Sequence, residues 1–297
     1  MRNLFISELI NEAKKNKKIV LVVGDLGFNV VEPFKKKFPD RFFNAGVSEQ
    51  SMLGFASGLA MRGYHVFVYS IANFPTFRCA EQIRNDMDYH NLPVTIVTVG
   101  SGLGYGNLGY SHHGLQDYSL MRSFPNTLIL SPCCNEELKM VLSFIFKNPQ
   151  PSYLRLDKSL DLNLNINIKN IRLGDWISHK KGKSKKKLLI STGSTVKDCK
   201  KILSNYSKSQ FNWYSIPIWG MKNKLYQLNR LLKFNDIVTV ENHFQDGGFG
   251  SWINEIVSSR LHKKKINILN RFIKKEVMGS VGSESYLNNK FGPTKNY

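Results

Sequence analysis

The sequence predicts an α/β protein of two three-layer α/β/α domains, the first built on a mostly parallel sheet. Three observations carry that expectation. Short runs rich in Val, Ile and Phe, at 19–23, 65–70 and 93–99, alternate with segments of helical period, the pattern of β-α-β units. A stretch over 159–187, first Asn-rich and then Lys-rich, interrupts the alternation and separates a segment 1–158 from a segment 188–297. The 297 residues, 42% of them hydrophobic, suffice for two cores of ordinary size.

In chain order, residues 4–16 have an amphipathic period with Leu4, Ile6 and Leu9 or Ile10 inward. A buried strand over 18–26 ends in Gly24-Asp25, and a Lys-rich helix over 31–38 leads to a strand at 41–44. Residues 43–60 organise the rest. The chain turns through Gly46, Ser48 stands as an N-cap, and Met52, Phe55, Ala56 and Leu59 share a face. Glu49 then lies in the first helical turn, where free backbone N–H groups favour a carboxylate. Small residues at Gly54, Ser57 and Gly58 permit close approach of another backbone. From spacing alone Glu49 is either a helix-capping acid or a buried acid with a task.

A strand at 65–70, a loop at 73–78, a helix at 79–89 and a strand at 93–99 follow. The next loop, 100–113, is rich in glycine, which permits tight turns and close backbone approach to a ligand. It lacks both the dinucleotide fingerprint and a Walker lysine. A strand at 127–130, a helix at 135–146 and the run 151–158 close the first segment. The alternation of Leu162, Leu164, Ile166 and Ile168 predicts an exposed edge strand. Strands at 188–192, 211–217 and 236–241, with helices after Thr195 and Ser251, make the second domain. No helix is predicted beyond Lys275, and the tail to Tyr297 reads as extended or partner-docking.

The net charge of +20 sits largely in Lys runs at helix ends and in the boundary stretch. These lack interleaved aromatics, so a solvated surface or an anionic partner explains them better than nucleic acid. Mean hydropathy is −0.28 and no apolar run reaches membrane-span length, so neither a membrane span nor a secretory leader is expected, and the cytoplasm is the default location. Four cysteines without a CxxC fit reduced thiols, and adjacent Cys133 and Cys134 read as ordinary thiols rather than a redox pair.

The run Asn44-Ala-Gly-Val-Ser-Glu49-Gln-Ser-Met52, followed by Gly54-Phe-Ala-Ser-Gly-Leu-Ala60, resembles the pyrimidine-binding domain of transketolase-like, thiamine-diphosphate-dependent enzymes. The stretch Glu241-Asn-His243 followed by Gly247-Gly-Phe-Gly-Ser251 resembles the C-terminal domain of the same family, so the resemblance runs from about residue 4 to 275. It implies that Glu49 hydrogen-bonds N1′ of the cofactor's aminopyrimidine, favouring the imino tautomer whose nitrogen removes the thiazolium C2 proton. Such a carboxyl group must be sheltered from water. The resemblance places an aromatic on the pyrimidine, Phe74 being the better match and Phe77 the alternative, and it places Asp25 near the thiazolium side. Within Leu108-Gly109-Tyr110-Ser111-His112 it makes His112 the substrate-channel histidine, leaves His113 open, and makes Arg155 and Lys158 candidates for gripping a substrate phosphate.

Two departures bear on substrate. Many transketolases have Asp where Leu108 stands, and His near Gly100. The diphosphate half-site, a Gly-Asp-Gly start followed by Asn, is also missing: Gly24-Asp25-Leu26 and Gly174-Asp175-Trp176 lack the third glycine. No metal ligands are therefore assigned to this chain. The resemblance implies the C-terminal half of a split transketolase, transferring a two-carbon ketol unit from a ketose to an aldehyde. Thiamine diphosphate and Mg²⁺ would be held with an N-terminal subunit in a two-plus-two assembly acting on sugars or sugar phosphates. The β subunit of a 2-oxo-acid dehydrogenase E1 component and a 1-deoxyxylulose-5-phosphate-synthase-like enzyme share these features. The loop at 109–112 and the stretch 241–251 favour a transketolase or the synthase over the dehydrogenase.

Overall fold

The computed structural model describes residues 1–158, 160–166, 170–206, 210–259 and 264–295. In the first sheet β1 (Ile19–Val23), β2 (Phe42–Asn44), β3 (His65–Ile71), β4 (Val94–Val99), β5 (Leu128–Leu130) and β6 (Ser152–Leu156) run parallel in the order β5-β6-β4-β3-β1-β2. The second sheet uses β7 (Ile177–Lys180), β8 (Lys187–Ser191) and β9 (Asn212–Ser215). The short β10 (Ile218–Trp219) leaves it and pairs antiparallel with β5, extending the first sheet. β11 (Asp236–Val240) and β12 (Asn267–Arg271) complete the second sheet in the order β12-β11-β8-β9-β7, parallel except for β7.

Each sheet is buried on both faces, which is why its central strands read as unbroken apolar runs. In β1, Val20 and Val22 pack against Met52, Leu53 and Ala56 of the helix Glu49–Met61. The intervening Ile19, Leu21 and Val23 share a core with Phe5 and Leu9 of the helix Arg2–Lys15 and Leu138 and Val141 of the helix Asn135–Lys147. β8 repeats the scheme. Leu188 and Ile190 face Trp252 and Ile253 of the helix Phe249–Val257, while Leu189 faces Cys199 and Ile202 of the helix Val196–Asn205. Two α/β/α layers of this kind match the expected fold class.

The structure corrects several local expectations. β7 lies inside the stretch 159–187 yet belongs to the second sheet, so that stretch is not simply a linker. Leu162, Leu164 and Ile166 form no strand and pack half-buried over the second-domain core; Ile168 lies outside the described residues. The tail is not extended: the helix Glu284–Phe291 folds back, burying Leu287 and Phe291 with Leu103, Leu115, Ile273 and Val277. The reason is the spacing of Leu287 and Phe291, one apolar residue per turn, which suffices for a helix that needs only one buried edge. Phe55 faces outward at 43% exposure, and Leu53, not Phe55, completes the inner face of its helix.

Candidate active site

The helix Glu49–Met61 starts at the C-terminal end of the parallel sheet, and its first residue is already buried. Ser48 is the N-cap residue, but its hydroxyl bonds Ser51 Oγ at 3.1 Å and caps no backbone N–H. Nor does the Glu49 carboxylate cap the helix. Glu49 is 3% exposed; its Oε2 accepts from Arg78 Nη1 at 2.8 Å, and its buried Oε1 has no partner. An unpaired buried carboxylate oxygen costs free energy, on the order of 1–3 kcal/mol, and asks for a donor from elsewhere. The loop before it is tied down by Asn44, whose side-chain amide donates to Asp25 Oδ1 at 2.9 Å and whose Oδ1 accepts from the N–H groups of Asp25 and Gly46. Asp25, exposed and left-handed at φ 54°, thus fixes the approach to Glu49.

The Arg78 guanidinium also lies 4.5 Å over the Phe74 ring, and Phe74 meets the His112 ring edge-on at 5.2 Å. Glu49, Arg78, Phe74 and His112 therefore form one contiguous line of contacts. Phe77 does not join it. It is 47% exposed and borders a cavity of about 1050 Å³ with Gln116, Leu120, Phe244 and Phe291. Sequence reasoning missed Arg78 because it read 73–78 as a loop; the structure makes Asn73–Arg78 a helix, which stacks side chains four residues apart.

The glycine loop that carries the histidines is folded on itself. Gly102 and Gly114 pair at its base, and Gly100, at φ 89°, lies under the Tyr105 ring where any Cβ would collide. His112 is half-buried, with Nδ1 2.9 Å from Ser111 Oγ, and partial burial lowers its pKa. His113 is 1% exposed, and burial lowers its pKa too, opposed by the neighbouring Gly106 backbone. Lys158 is exposed, with Nζ 4.5 Å over Tyr105, whose ring is 6.3 Å from that of His112.

Arg155 is the clear correction. It is 1% exposed, and its guanidinium donates to Asp117 at 2.6 Å, to Tyr118 at 3.2 Å, to the Gly114 carbonyl at 2.5 Å and to Asn242 Oδ1 at 2.5 Å. A side chain pointing inward from β6 with its donors so committed does not grip a substrate phosphate. It locks the glycine loop to the second domain instead. Asn242 continues the lock by donating to Ser101 and Ser194, and His243 stacks on Tyr118 at 5.0 Å. Burial pushes the His243 pKa down to about 4. Glu241 accepts from the N–H groups of Phe249 and Gly250 at 2.7 and 2.8 Å, starting the helix Phe249–Val257. Elsewhere Cys133, Glu137 and His179 cluster between the domains, with the Glu137 oxygens taken by the Cys133 N–H and the Ser215 hydroxyl. All four cysteines are buried free thiols.

The outer side of the Glu49 helix is apolar and open. Phe43 and Phe55 meet edge-on at 5.1 Å, Val47 and Phe28 are each 70% exposed, and a Cβ at Gly54 or Gly58 would meet nothing within 4 Å. Gly54 and Gly58 therefore serve no close approach among the described residues, whereas Ser57 is buried. Among the described residues no helix is long and apolar enough to cross a membrane.

Residues 1–161 match the family described as transketolase, pyrimidine binding domain. The chain is 29% identical over 262 residues to one of the subunits of the apulose-4-phosphate transketolase of Actinobacillus succinogenes, covering 87% of this chain and 83% of that one. It is 31% identical over 277 residues to a transketolase C-terminal section of Methanocaldococcus jannaschii, covering 90% and 85%. It is also 30% identical over 270 residues to a 1-deoxy-D-xylulose-5-phosphate synthase of Clostridium perfringens, covering 88% of this chain but 42% of the synthase. Among solved structures, a split-gene transketolase described as an inactive β4 tetramer superposes with a TM-score of 0.81 at 26% identity, over 99% of this chain and 93% of that one. With its buried acid at the head of a helix on a parallel sheet and these relatives along nearly its whole length, the chain belongs to the transketolase family of thiamine-diphosphate enzymes, as a unit matching their pyrimidine-binding and C-terminal half.

Proposed function

We propose that this chain is the C-terminal subunit of a split, thiamine-diphosphate-dependent transketolase that moves a two-carbon ketol unit from a ketose donor to an aldehyde acceptor. The observation that carries the reading is the Glu49 carboxyl group: 3% exposed, one oxygen paired to Arg78 and the other unpaired, beside the half-buried ring of Phe74. Those residues fit the aminopyrimidine end of the cofactor. Glu49 Oε1 would take a hydrogen bond at a ring nitrogen, and Phe74, rather than Phe77, would pack on the ring. When bound, the cofactor supplies a carbon acid that serves as the electron sink for the substrate carbonyl. Glu49 holds or shares the proton at the ring nitrogen, and Arg78 keeps its other oxygen in place. His112, with a depressed pKa, is neutral at pH 7 and can donate to or accept from a substrate oxygen. Lys158, at the rim beside Tyr105, is the remaining cation for an anionic substrate group.

The exposed Phe43–Phe55 pair, Val47 and the open Gly54 and Gly58 lie on or just before the helix that Glu49 begins and support a second subunit there, closing the site against water. That second chain would bring the diphosphate and Mg²⁺ ligands. The Actinobacillus relative, itself one part of a transketolase with separate subunits, and the inactive β4 tetramer favour such an arrangement. A second reading, acyl transfer of the deoxyxylulose-phosphate-synthase kind, has the Clostridium relative in its favour. Reconstitution with an N-terminal-half transketolase subunit tests both. The complex is expected to bind thiamine diphosphate in a Mg²⁺-dependent way and to transfer a ketol unit, whereas the chain alone does neither. Tight Mg²⁺-dependent binding by the isolated chain in calorimetry would reject the split-enzyme reading, and pyruvate as the preferred donor would select the second.

A further inference from the structure

The loop that carries His112 is held from outside by the end of the chain. Its tip consists of two short turns, Gly106–Leu108 and Tyr110–His112. The segment around the helix Glu284–Phe291 lies across the first of them. The Gly282 N–H donates to the Gly106 carbonyl at 3.2 Å, and a Cβ at Gly106 would meet Gly282 O at 2.6 Å and Leu287 Cδ1 at 2.7 Å. At Gly109, with φ 77°, a Cβ would meet Val281 Cγ2 at 3.2 Å. Glycine is thus required by the tail at Gly106 and by the left-handed turn at Gly109. Leu287 is fully buried in an apolar cluster of its own, apart from the sheet cores, and the Lys274 N–H closes the wrap by donating to the Phe291 carbonyl at 2.9 Å.

A continuous run of backbone hydrogen bonds leads from this wrap to the histidine. The Gly106 carbonyl that accepts from Gly282 also accepts from the Gly109 N–H at 3.2 Å, and the Gly109 carbonyl accepts from the His112 N–H at 3.0 Å. The tail is thus linked through Gly106 and two short turns to His112, whose ring stands 5.2 Å from that of Phe74. Glu49 is not on this hydrogen-bonded path: its carboxylate is held by Arg78, and it reaches His112 only through the Arg78 and Phe74 side chains.

We propose that Leu287 and Gly282 are positioning residues, and that the C-terminal helix sets the place of His112 opposite the cofactor end of the site, controlling use of the acceptor without acting on cofactor activation. The inference rests on the substrate role proposed for His112. It is tested in the reconstituted complex with Leu287→Ala, the milder Leu287→Val, the volume-conserving Leu287→Met and, as a control, the exposed Asn289→Ala on the same helix. Misplacing a substrate-orienting group by about 1 Å costs up to about 10²-fold, so Leu287→Ala is expected to lower kcat/KM for the acceptor by 10- to 100-fold, chiefly through KM. Cofactor C2–H/D exchange should stay at the wild-type rate, and Leu287→Met should restore the acceptor KM.

Two readouts on the chain without cofactor accompany the kinetics. Amide exchange in 103–114 should quicken in Leu287→Ala while 65–71 keeps its protection, and the His112 ring resonance should move in that variant but not in Asn289→Ala. Wild-type acceptor KM in Leu287→Ala overturns the proposal. So does a matched loss of C2 exchange and acceptor use, or faster amide exchange throughout the chain, since each marks general destabilisation. If Leu287→Ala does not fold, Leu287→Val is read by the same criteria. A wild-type complex inactive on every acceptor would count against the His112 substrate reading. The amide-exchange and resonance readouts would then decide whether the tail positions the loop.

Discussion

Glu49→Gln should separate stability from activity in opposite directions. In the folded chain the Glu49 carboxyl group is 3% exposed, and its Oε1 finds no donor, a burden of about 1–3 kcal/mol. Against this stands one charge-assisted contact to Arg78, a residue 49% exposed at its side chain, so solvent screening limits the pair to about 1 kcal/mol or less. Glutamine keeps an oxygen for Arg78 and replaces the stranded charge with a neutral amide. The substitution is therefore expected to leave the isolated chain as stable as the wild type or about 1 kcal/mol more so, a Tm rise of about 2–4 °C. In the assembled enzyme it removes the acid that serves the cofactor's ring nitrogen, with turnover falling about 10²-fold or more and C2–H/D exchange slowing in parallel. Thermal unfolding of the isolated chain and single-turnover exchange in the complex measure the two sides. A variant that loses more than about 2 kcal/mol while exchanging at the wild-type rate would show Glu49 to be a structural acid and refute the reasoning.

Arg155→Ala should destabilise the chain by about 3–5 kcal/mol in denaturant unfolding, because it strands the buried Asp117 carboxylate; an altered KM for phosphorylated substrates at full stability would contradict the inward placement. Leu108, 55% exposed at the loop tip, accepts no hydrogen bond from a sugar hydroxyl, so the assembled enzyme should show no preference for the xylulose 5-phosphate and ribose 5-phosphate pair. A donor and acceptor panel comparing kcat/KM checks this, and ordinary pentose-phosphate efficiency would refute it. Burial holds the folded-state pKa of His65 down to about 3 and that of His243 to about 4. Between pH 6.5 and 4 the unfolded chain takes up protons that these two histidines refuse when folded. Unfolding free energy should therefore be full above pH 6.5 and fall with decreasing pH, by about 1.4 kcal/mol per unit for each histidine. A flat profile over that range, read from urea midpoints, would contradict the burial of both rings.

Much of the molecule was legible in the residues themselves. Runs such as Ile19–Val23 are apolar on every position because a parallel strand between two helix layers has no wet face, and this local rule predicts the α/β layers without reference to the rest of the chain. Glu49, Phe74 and His112 were singled out through short motifs that resemble a family, since spacing alone left Glu49 either a capping acid or a buried one; the structure sets the three in one line of contacts through Arg78. What stayed hidden depends on contacts between segments far apart in sequence. Arg155 reads as a surface cation until β6 brings it to Asp117 and Asn242, the latter 87 residues away. The strand β10 belongs by position to the second half and by pairing to the first, and Trp219 packs against Tyr118, Phe249 and Trp252 only because of that crossing. Phe74 and Phe77, three residues apart on one helix, differ in surroundings that the sequence does not show: Phe74 meets Arg78 and His112, and Phe77 does not. The tail helix has a weak pattern of its own and gains its place from the Gly106 turn it covers. Periodicity and motif chemistry are properties of neighbours in the chain; burial and pairing are properties of neighbours in space, and only the folded structure supplies those.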